Sequence, residues 1–399
     1  MRIATANAYD VGIDTLARRQ ADLNALQDQL TTGKRVNRAS DDPAAAARAE
    51  RALASIGRSD TSQRAVDASK VLITQAESTL GDAGDLLQRA RELMVSAGDA
   101  SYSDTDRKGI ADELQQIRDQ LLSLANSGDG SGTYLFGGQG STQKPFVDTA
   151  SGVQFAAAGG EMRTEQPTGL PLTTDGRAAW LQARTGNGVF VTSAAPGVQN
   201  ATIDNGSVSD PSALTGANYT LSFSVSGGTT TYSVLKNGAP TAITGAAYVS
   251  GQAITVDGMT VSVSGTPADG DQFQIAPSTP TLGVFGVLDS AIAGLKTPGR
   301  TGSQIAQANS DALRDIDSVS ANLQSARTAA GAVLNRLDSE TSRLDNQKLA
   351  STTERSNAED VDMVHAISDF QNQQTGYDAA LKSYAAVQHL SLFQYVNGS

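Results

Sequence analysis

The sequence predicts a mainly α protein with a β insertion: terminal coiled-coil helices, an antiparallel helical bundle and a central all-β domain. Three observations carry that expectation. Charge is unevenly spread, because residues 150–300 hold 9 acids and 6 bases while the whole chain has 42 and 30. Apolar residues in both flanks step by threes and fours, the spacing that keeps one helix seam facing a partner. The charge-poor middle, rich in Gly, Ser, Thr and Val, alternates apolar and hydroxyl residues as a half-buried strand does.

From the N-terminus, Tyr9, Ile13, Leu16, Leu23 and Leu30 form a first stripe, interrupted by Gln20 and Gln27. The stretch "LTTGKRVNRASDDPAAAAR" (residues 30–48) follows it. Its Gly-Lys pair lacks the upstream glycine and the following Ser or Thr of a phosphate loop, and no strand precedes it. Gly33 is instead placed to end the first helix in a left-handed turn. Asp42 is placed to cap a second helix, with Pro43 at the first position, where no backbone donor is needed. Lys34, Arg35 and Arg38 then sit on a connector, solvated or facing acids on a neighbour.

Three seams follow. Val66, Ile73, Ala76, Leu80, Ala83, Leu87, Ala90 and Met94 make one, with Ser69 its polar member. Ile110, Leu114, Ile117, Leu121 and Leu124 make the next, after the turn "GDASYSD". Ile316, Val319, Leu323, Ala326, Ala330, Val333, Leu337 and Leu344 make the third, with Glu340 interrupting. The many alanines let helix axes approach closely, so the three are expected to form one bundle although the β middle separates them. At the C-terminus, Met363, Ile367, Phe370, Tyr377, Leu381, Tyr384 and Tyr395 form a last stripe, broken by Gln374 and Gln388. A terminal helix with such a stripe needs a partner, either the other terminus or another copy. In the middle, Leu221, Phe223 and Val225 alternate with Thr220, Ser222 and Ser224, and Gly227-Gly228 turns into "TYSVLKNG". "AITVDGMTVSVSG" gives another hairpin around Asp257 and Gly258. The expected division is residues 1–40 with 356–399, residues 41–149 with 281–355, and an outer β domain over 150–280.

Bulk properties limit the chemistry. A net charge of -12 is repelled by phosphate backbones and by anionic lipid, so neither nucleic acid nor membrane is an expected partner. No cysteine is present, which removes disulfides and thiolate catalysis. The start "MRIATANAYDVGIDTLARRQADL" has no apolar signal-peptide core, so any export is expected to proceed without a cleaved signal. "SDTDRKGIADEL" (residues 103–114) imitates a calcium loop, but Lys108 takes a ligand position and Gln115 replaces the closing bidentate acid. Ser103 capping a helix with acids in its first turn explains it without metal. "GDGSGTYLFGG" (residues 128–138) follows a helix, the wrong order for a dinucleotide fingerprint, and serves better as a tight turn from bundle to sheet. His365 and His389 are the two histidines, both near the C-terminus, with no partner motif for a triad or zinc site. No catalytic constellation, cofactor or metal site is expected. A contrasting class is an enzyme or glycan binder in the β middle, using exposed Ser, Thr, Tyr232 or Trp180.

"LTTGKRVNRASDDPAA" strongly resembles the N-terminal signature of bacterial flagellins and their hook-associated relatives. "LLQRARELMVSAGDASYSDTDRKGIADELQQIRDQL" (residues 86–121) is similar to the helix pair that follows in that family. "GTYLFGGQGSTQKPF", "DGDQFQIAPS" and "QNQQTGYDAALKSYAAVQHLSLFQYV" extend the match. It covers both flanks and not the middle. The start "MRIATANAYD" and end "LSLFQYVNGS" look like members that join hook to filament; a filament subunit is the second reading, although its usual Leu-Leu-Arg ending is absent.

That resemblance implies a structural, non-enzymatic protein of the bacterial flagellum. It would be exported unfolded through the flagellar secretion channel and assemble as a ring between the first hook-associated protein and flagellin. It also implies transient contacts with the filament cap protein and with an export chaperone that shields the last helix. The expected assembly interface comprises Ile13, Leu16, Leu23, Leu30, Lys34, Arg35, Arg38, Met363, Ile367, Phe370, Tyr377, Leu381 and Tyr384. Lone helices are marginal, so ordering the ends on assembly would couple folding to binding.

Overall fold

The structure, a computed structural model, describes residues 2–139, 142–164 and 169–396, with side chains described from 10 to 386. In chain order the helices are α1 (Arg2–Thr32), α2 (Pro43–Ala97), α3 (Asp104–Ala125), α4 (Gly176–Leu181), α5 (Val284–Lys296), α6 (Gly302–Glu359) and α7 (Met363–Val396). The strands are β1 (Phe146–Thr149), β2 (Gly152–Phe155), β3 (Phe190–Ala194), β4 (Ala201–Ile203), β5 (Ser207–Val208) and β6 (Tyr219–Ser226). They continue with β7 (Thr229–Lys236), β8 (Ala239–Pro240), β9 (Ala246–Ala247), β10 (Ala253–Val256), β11 (Met259–Gly265) and β12 (Gln272–Pro277). A mainly α chain with a central antiparallel β domain is thus what folds. It separates into two compact units, Met1–Arg64 with Glu340–Ser399, and Ala65–Ser339.

In the larger unit the predicted seams form the helical core. Val66, Ile73, Ala76, Leu80, Ala83, Leu87, Ala90 and Met94 on α2 are all buried, as are Leu114, Ile117 and Leu121 on α3 and Ile316, Val319 and Leu323 on α6. Ser69 is buried with them because its hydroxyl donates to the Pro171 carbonyl, which removes the cost of an unpaired polar group. α5, apolar on most of its surface, packs along α3 and completes the layer with Val284, Phe285, Leu288 and Ile292. Arg118 on α3 is buried and clamped by two carboxylates, Asp148 just after the α3–β1 link (Nη1–Oδ2 2.5 Å) and Asp289 on α5 (Nε–Oδ1 2.7 Å). The two charge-assisted contacts hold the guanidinium's pKa above its ordinary value and lower that of Asp148.

Trp180, which the contrasting glycan-binding reading needs exposed, lies instead at 0% exposure in this core. It stacks on Phe285 at 6.0 Å between ring centres and meets Phe136 edge-on at 5.6 Å. The short helix α4, capped by Asp175 through the Ala178 amide, carries it inward. Gly138 (φ +64°) explains the preceding turn: a Cβ there would lie 1.9 Å from the Ala158 carbonyl oxygen, so only glycine fits.

The β domain has its own core. β3-β12-β6-β7-β8 form one antiparallel sheet with β9 beside β7, and β10-β11-β4 form the other with β5 beside β11. Leu221, Phe223, Val234 and Phe273 from the first sheet meet Ile203, Val261 and Val263 from the second in one buried cluster. The buried face of β6 begins one pair earlier than the alternation suggested: Tyr219 is at 1% exposure, while Val225, at 36%, lies past the edge of the core. Both hairpin turns are primed turns with two positive φ values, Gly227-Gly228 (+57°, +81°) and Asp257-Gly258 (+43°, +77°). Tyr232 is only half-buried, beside Phe223 at 6.1 Å. The domain enters and leaves through one point, where Ala183 and Leu282 exchange two backbone hydrogen bonds of 2.9 Å.

A polar stripe on α6 grips that domain. Thr301, Gln304, Gln307, Asp311, Arg314, Ser318 and Asn322 recur at threes and fours. Gln304 donates to the Val198 carbonyl (3.2 Å), Gln307 accepts from the Ile203 amide (2.8 Å), and Arg314 donates to the Thr192 carbonyl (3.2 Å). Asn322, further along the stripe, reaches instead α4 of the helical core, at the Ala178 and Ala179 carbonyls (2.9 and 2.8 Å). Burial raises the pKa of Asp311, opposed by the charge of Arg314 at 2.8 Å.

Candidate assembly surface

The smaller unit holds the residues expected to carry assembly. α1 packs along α7, and their apolar stripes meet only in part. On α1, Leu16, Leu23 and Leu30 are half-buried, but Ile13 is 51% exposed and its neighbour Val11 56%. On α7 the stripe divides by helical angle: Phe370, Tyr377 and Tyr384 are half-buried, while Met363, Ile367 and Leu381 are each more than 40% exposed. Val364 is exposed as well, at 80%. Tyr9, Gln388, His389 and Tyr395 lie outside the described side chains. His365 is exposed on α7. The terminal pair therefore satisfies one apolar strip internally and leaves a second strip open to solvent.

The connector between α1 and α2 is more tightly built than its sequence suggested. α1 stops at Gly33, whose φ of +71° is the left-handed turn expected of it, and whose amide bonds the Gln29 carbonyl at 2.8 Å. Asp42 Oδ1 accepts from the Ala44 and Ala45 amides at 3.1 and 3.0 Å, so it caps α2, with Pro43 in the first position. Those donors, chiefly the Ala45 amide and then the Arg35 guanidinium, lower its pKa. The connector also bonds the end of α6: the Arg35 and Val36 amides donate to the Glu359 carbonyl, and the Val361 amide donates to that of Gly33. Lys34 and Arg35 meet partners inside the same chain, Lys34 with Glu359 (3.2 Å), and Arg35 with Asp42 (3.3 Å) and the Ala358 carbonyl (2.8 Å). Arg38 is exposed, with no acid paired to it among the described residues.

Elsewhere, the features considered for chemistry resolve as local structure. Ser103 and Asp106 form a reciprocal capping box at the start of α3. Among the described residues no group of three or more His, Cys, Asp or Glu is placed to hold a metal ion. A cavity of about 220 Å³ between α2, α3, α5 and α6 is lined by Met94, Arg107, Leu295, Arg300 and Asn309, without a histidine. Its arginines donate to backbone carbonyls: Arg107 to Ala97, Tyr102 and Asp99, and Arg300 to Gly294 and Gln304.

Two helical ends that pair with each other around an inserted β domain define a flagellin-type subunit, and comparison with known proteins agrees. Residues 3–141 match the bacterial flagellin N-terminal helical region and residues 313–396 the C-terminal helical region. Residues 192–277 match the D2-like domain of flagellar hook-associated protein 1, a likeness in the middle that motif reading did not find. Flagellar hook-associated protein 3 of Salmonella typhimurium is 28% identical over 402 residues, 99% of each chain. The crystal structure of Xanthomonas campestris FlgL superposes with a TM-score of 0.67 at 31% identity, covering 76% of this chain and 99% of that one. The phase 1 flagellin of Salmonella naestved is 35% identical but over 28% of this chain and 22% of its own. The chain belongs to the flagellar hook-associated protein 3 family.

Proposed function

We propose that this chain is the structural junction between hook and filament of a bacterial flagellum. It assembles as a ring between the first hook-associated protein and flagellin, with its terminal helix pair as the packing surface. The observation that carries the reading is the open apolar strip of Met363, Ile367 and Leu381 along one side of α7, with Val11, Ile13 and Val364 also exposed, on a pair of helices already joined to each other. At roughly 25 cal/mol per Å² of apolar surface, covering such a strip favours association. The full-length match to hook-associated protein 3 supports the junction over the filament role, since the flagellin match ends with the helical flanks.

On this reading Leu16, Leu23, Leu30, Phe370, Tyr377 and Tyr384 hold the helix pair together, and the exposed residues pack against other subunits. Export through the flagellar secretion apparatus and shielding of α7 by a chaperone belong to the same proposal, as does passing contact with the filament cap. Residues 150–280 are proposed to be dispensable for assembly.

Deleting the gene is the direct test. Intact hooks with unassembled flagellin shed into the medium are expected. Disappearance of the flagellin itself would transfer the chain to the filament role.

A further inference from the structure

A second surface of the smaller unit lacks a partner of another kind. Of the connector's cations, Lys34 and Arg35 are satisfied within the chain. On the first turns of α2, however, Arg48, Arg51 and Arg58 are all exposed, and none forms an ion pair with an acid among the described residues. Arg48 and Arg51 fold back on their own helix, their Nε groups donating to the Ala44 and Ala47 carbonyls four residues earlier. At 100° per residue the three fall within an arc of about 80°, flanking the buried strip of Ala45, Ala52 and Ser59. They form a basic ribbon beside a seam, in a protein whose net charge is -12.

Most of that negative charge lies in the other unit, where Asp82 and Asp85 on α2 are exposed, one turn apart and without an ion pair of their own. Arg327 feels the charge of both, but gives its hydrogen bond to Glu77 at 2.6 Å. Resting on the junction reading above, we infer that Arg48, Arg51 and Arg58 of one copy dock on Asp82 and Asp85 of the next copy. Because the two patches differ, the contact is head-to-tail. That kind of contact can close into a ring, whereas a two-fold contact would stop at a dimer. Charge complementarity of this sort sets register and partner choice more than raw affinity, which suits a layer that must stack in one orientation.

The test uses the full chain in cells lacking their own copy. The unaltered chain must first restore filaments; if it does not, the junction reading fails and the charge question does not arise. Once it does, R51E/R58E is expected to lower the fraction of filament-bearing cells about tenfold, and D82R/D85R to do the same. Carrying all four changes in one chain should restore most of the loss, because each reversed ribbon then meets a reversed acid pair. Circular dichroism and the melting temperature of the purified variants should match the unaltered chain, since all four side chains are exposed.

As the sequence has no cysteine, R58C/D82C offers a second measurement: oxidation in assembled flagella should yield a ladder of covalent multimers of this chain. Unchanged filaments in R51E/R58E would overturn the inference. So would a loss that the fourfold variant leaves unrepaired, or cross-links that form only to a different protein.

Discussion

Helices with the same three-four spacing end in different states in the two units. On α2 and α6 within the larger unit, Leu80, Leu87, Ile316 and Val319 are buried at 0–1% exposure. On α1 and α7 of the smaller unit, Leu16, Leu23, Leu30, Phe370, Tyr377 and Tyr384 are only half-buried, and Ile13, Met363, Ile367 and Leu381 are exposed. The spacing is a property of one helix, whereas burial is a property of how many neighbours it has. α2 has α3, α5 and α6 to cover it; α1 is given α7. A pair of helices covers one strip on each member, and the remainder stays exposed; on the proposed function it is the part another chain would cover.

That contrast can be broken most forcefully inside the bundle. Leu87→Ala, at a side chain with 0% exposure, is expected to cost about 3 kcal/mol and to lower the melting temperature by several degrees in a thermal scan. Leu381→Asp should do the reverse. Because Leu381 is 42% exposed, monomer stability is expected to stay within about 0.5 kcal/mol while incorporation into flagella is lost. Unimpaired motility of the Leu381→Asp strain would contradict the role given to the open strip.

A smaller effect belongs to the ionic clamp in the bundle. Arg118→Ala leaves Asp148 and Asp289 facing each other without their cation, and roughly 2 kcal/mol of stability should disappear in urea unfolding. The clamp also sets a pH dependence. Asp148 has a folded pKa below its ordinary value, so its contribution is fully present above about pH 4 and is lost as pH falls through the lowered value.

Asp311, with a raised pKa, acts in the opposite sense and is expected to have the smallest effect. It binds its proton more tightly when folded, so stability falls as pH rises through that raised value. Asp311→Asn should flatten this part of the curve by well under the Arg118 effect. Urea midpoints measured from pH 3.5 to 7 would show it.

Much of this was legible in the residues. The helix stop at Gly33, the Asp42 cap, the Ser103 cap, the three seams and the hairpin at Asp257-Gly258 are local signals, and local geometry decides them. Three features were not legible. Trp180 looked like a surface aromatic because "GRAAWL" shows no period over so short a helix, and its burial depends on Phe136, Phe146 and Phe285 arriving from elsewhere. The division of the α7 stripe follows from a single partner covering one flank, which periodicity cannot specify. The grip of α6 on the β domain left no complementary pattern because its targets are backbone carbonyls and amides, which every sequence has. Its other half was visible: Thr301, Gln304, Gln307, Asp311, Arg314, Ser318 and Asn322 form a polar stripe at the same spacing as the apolar one.

The crossing at Ala183 and Leu282 bears on how such a protein can change over generations. Two residues that exchange both backbone hydrogen bonds hold their Cα atoms about 5.5 Å apart, so the helices experience everything between them as a closed loop. Any module whose ends meet at that distance can be exchanged there without moving a helix. The side chains on α6 that receive it ask only for main-chain atoms at suitable positions. The site works as a socket: the inserted module can differ while the helices that frame it stay the same.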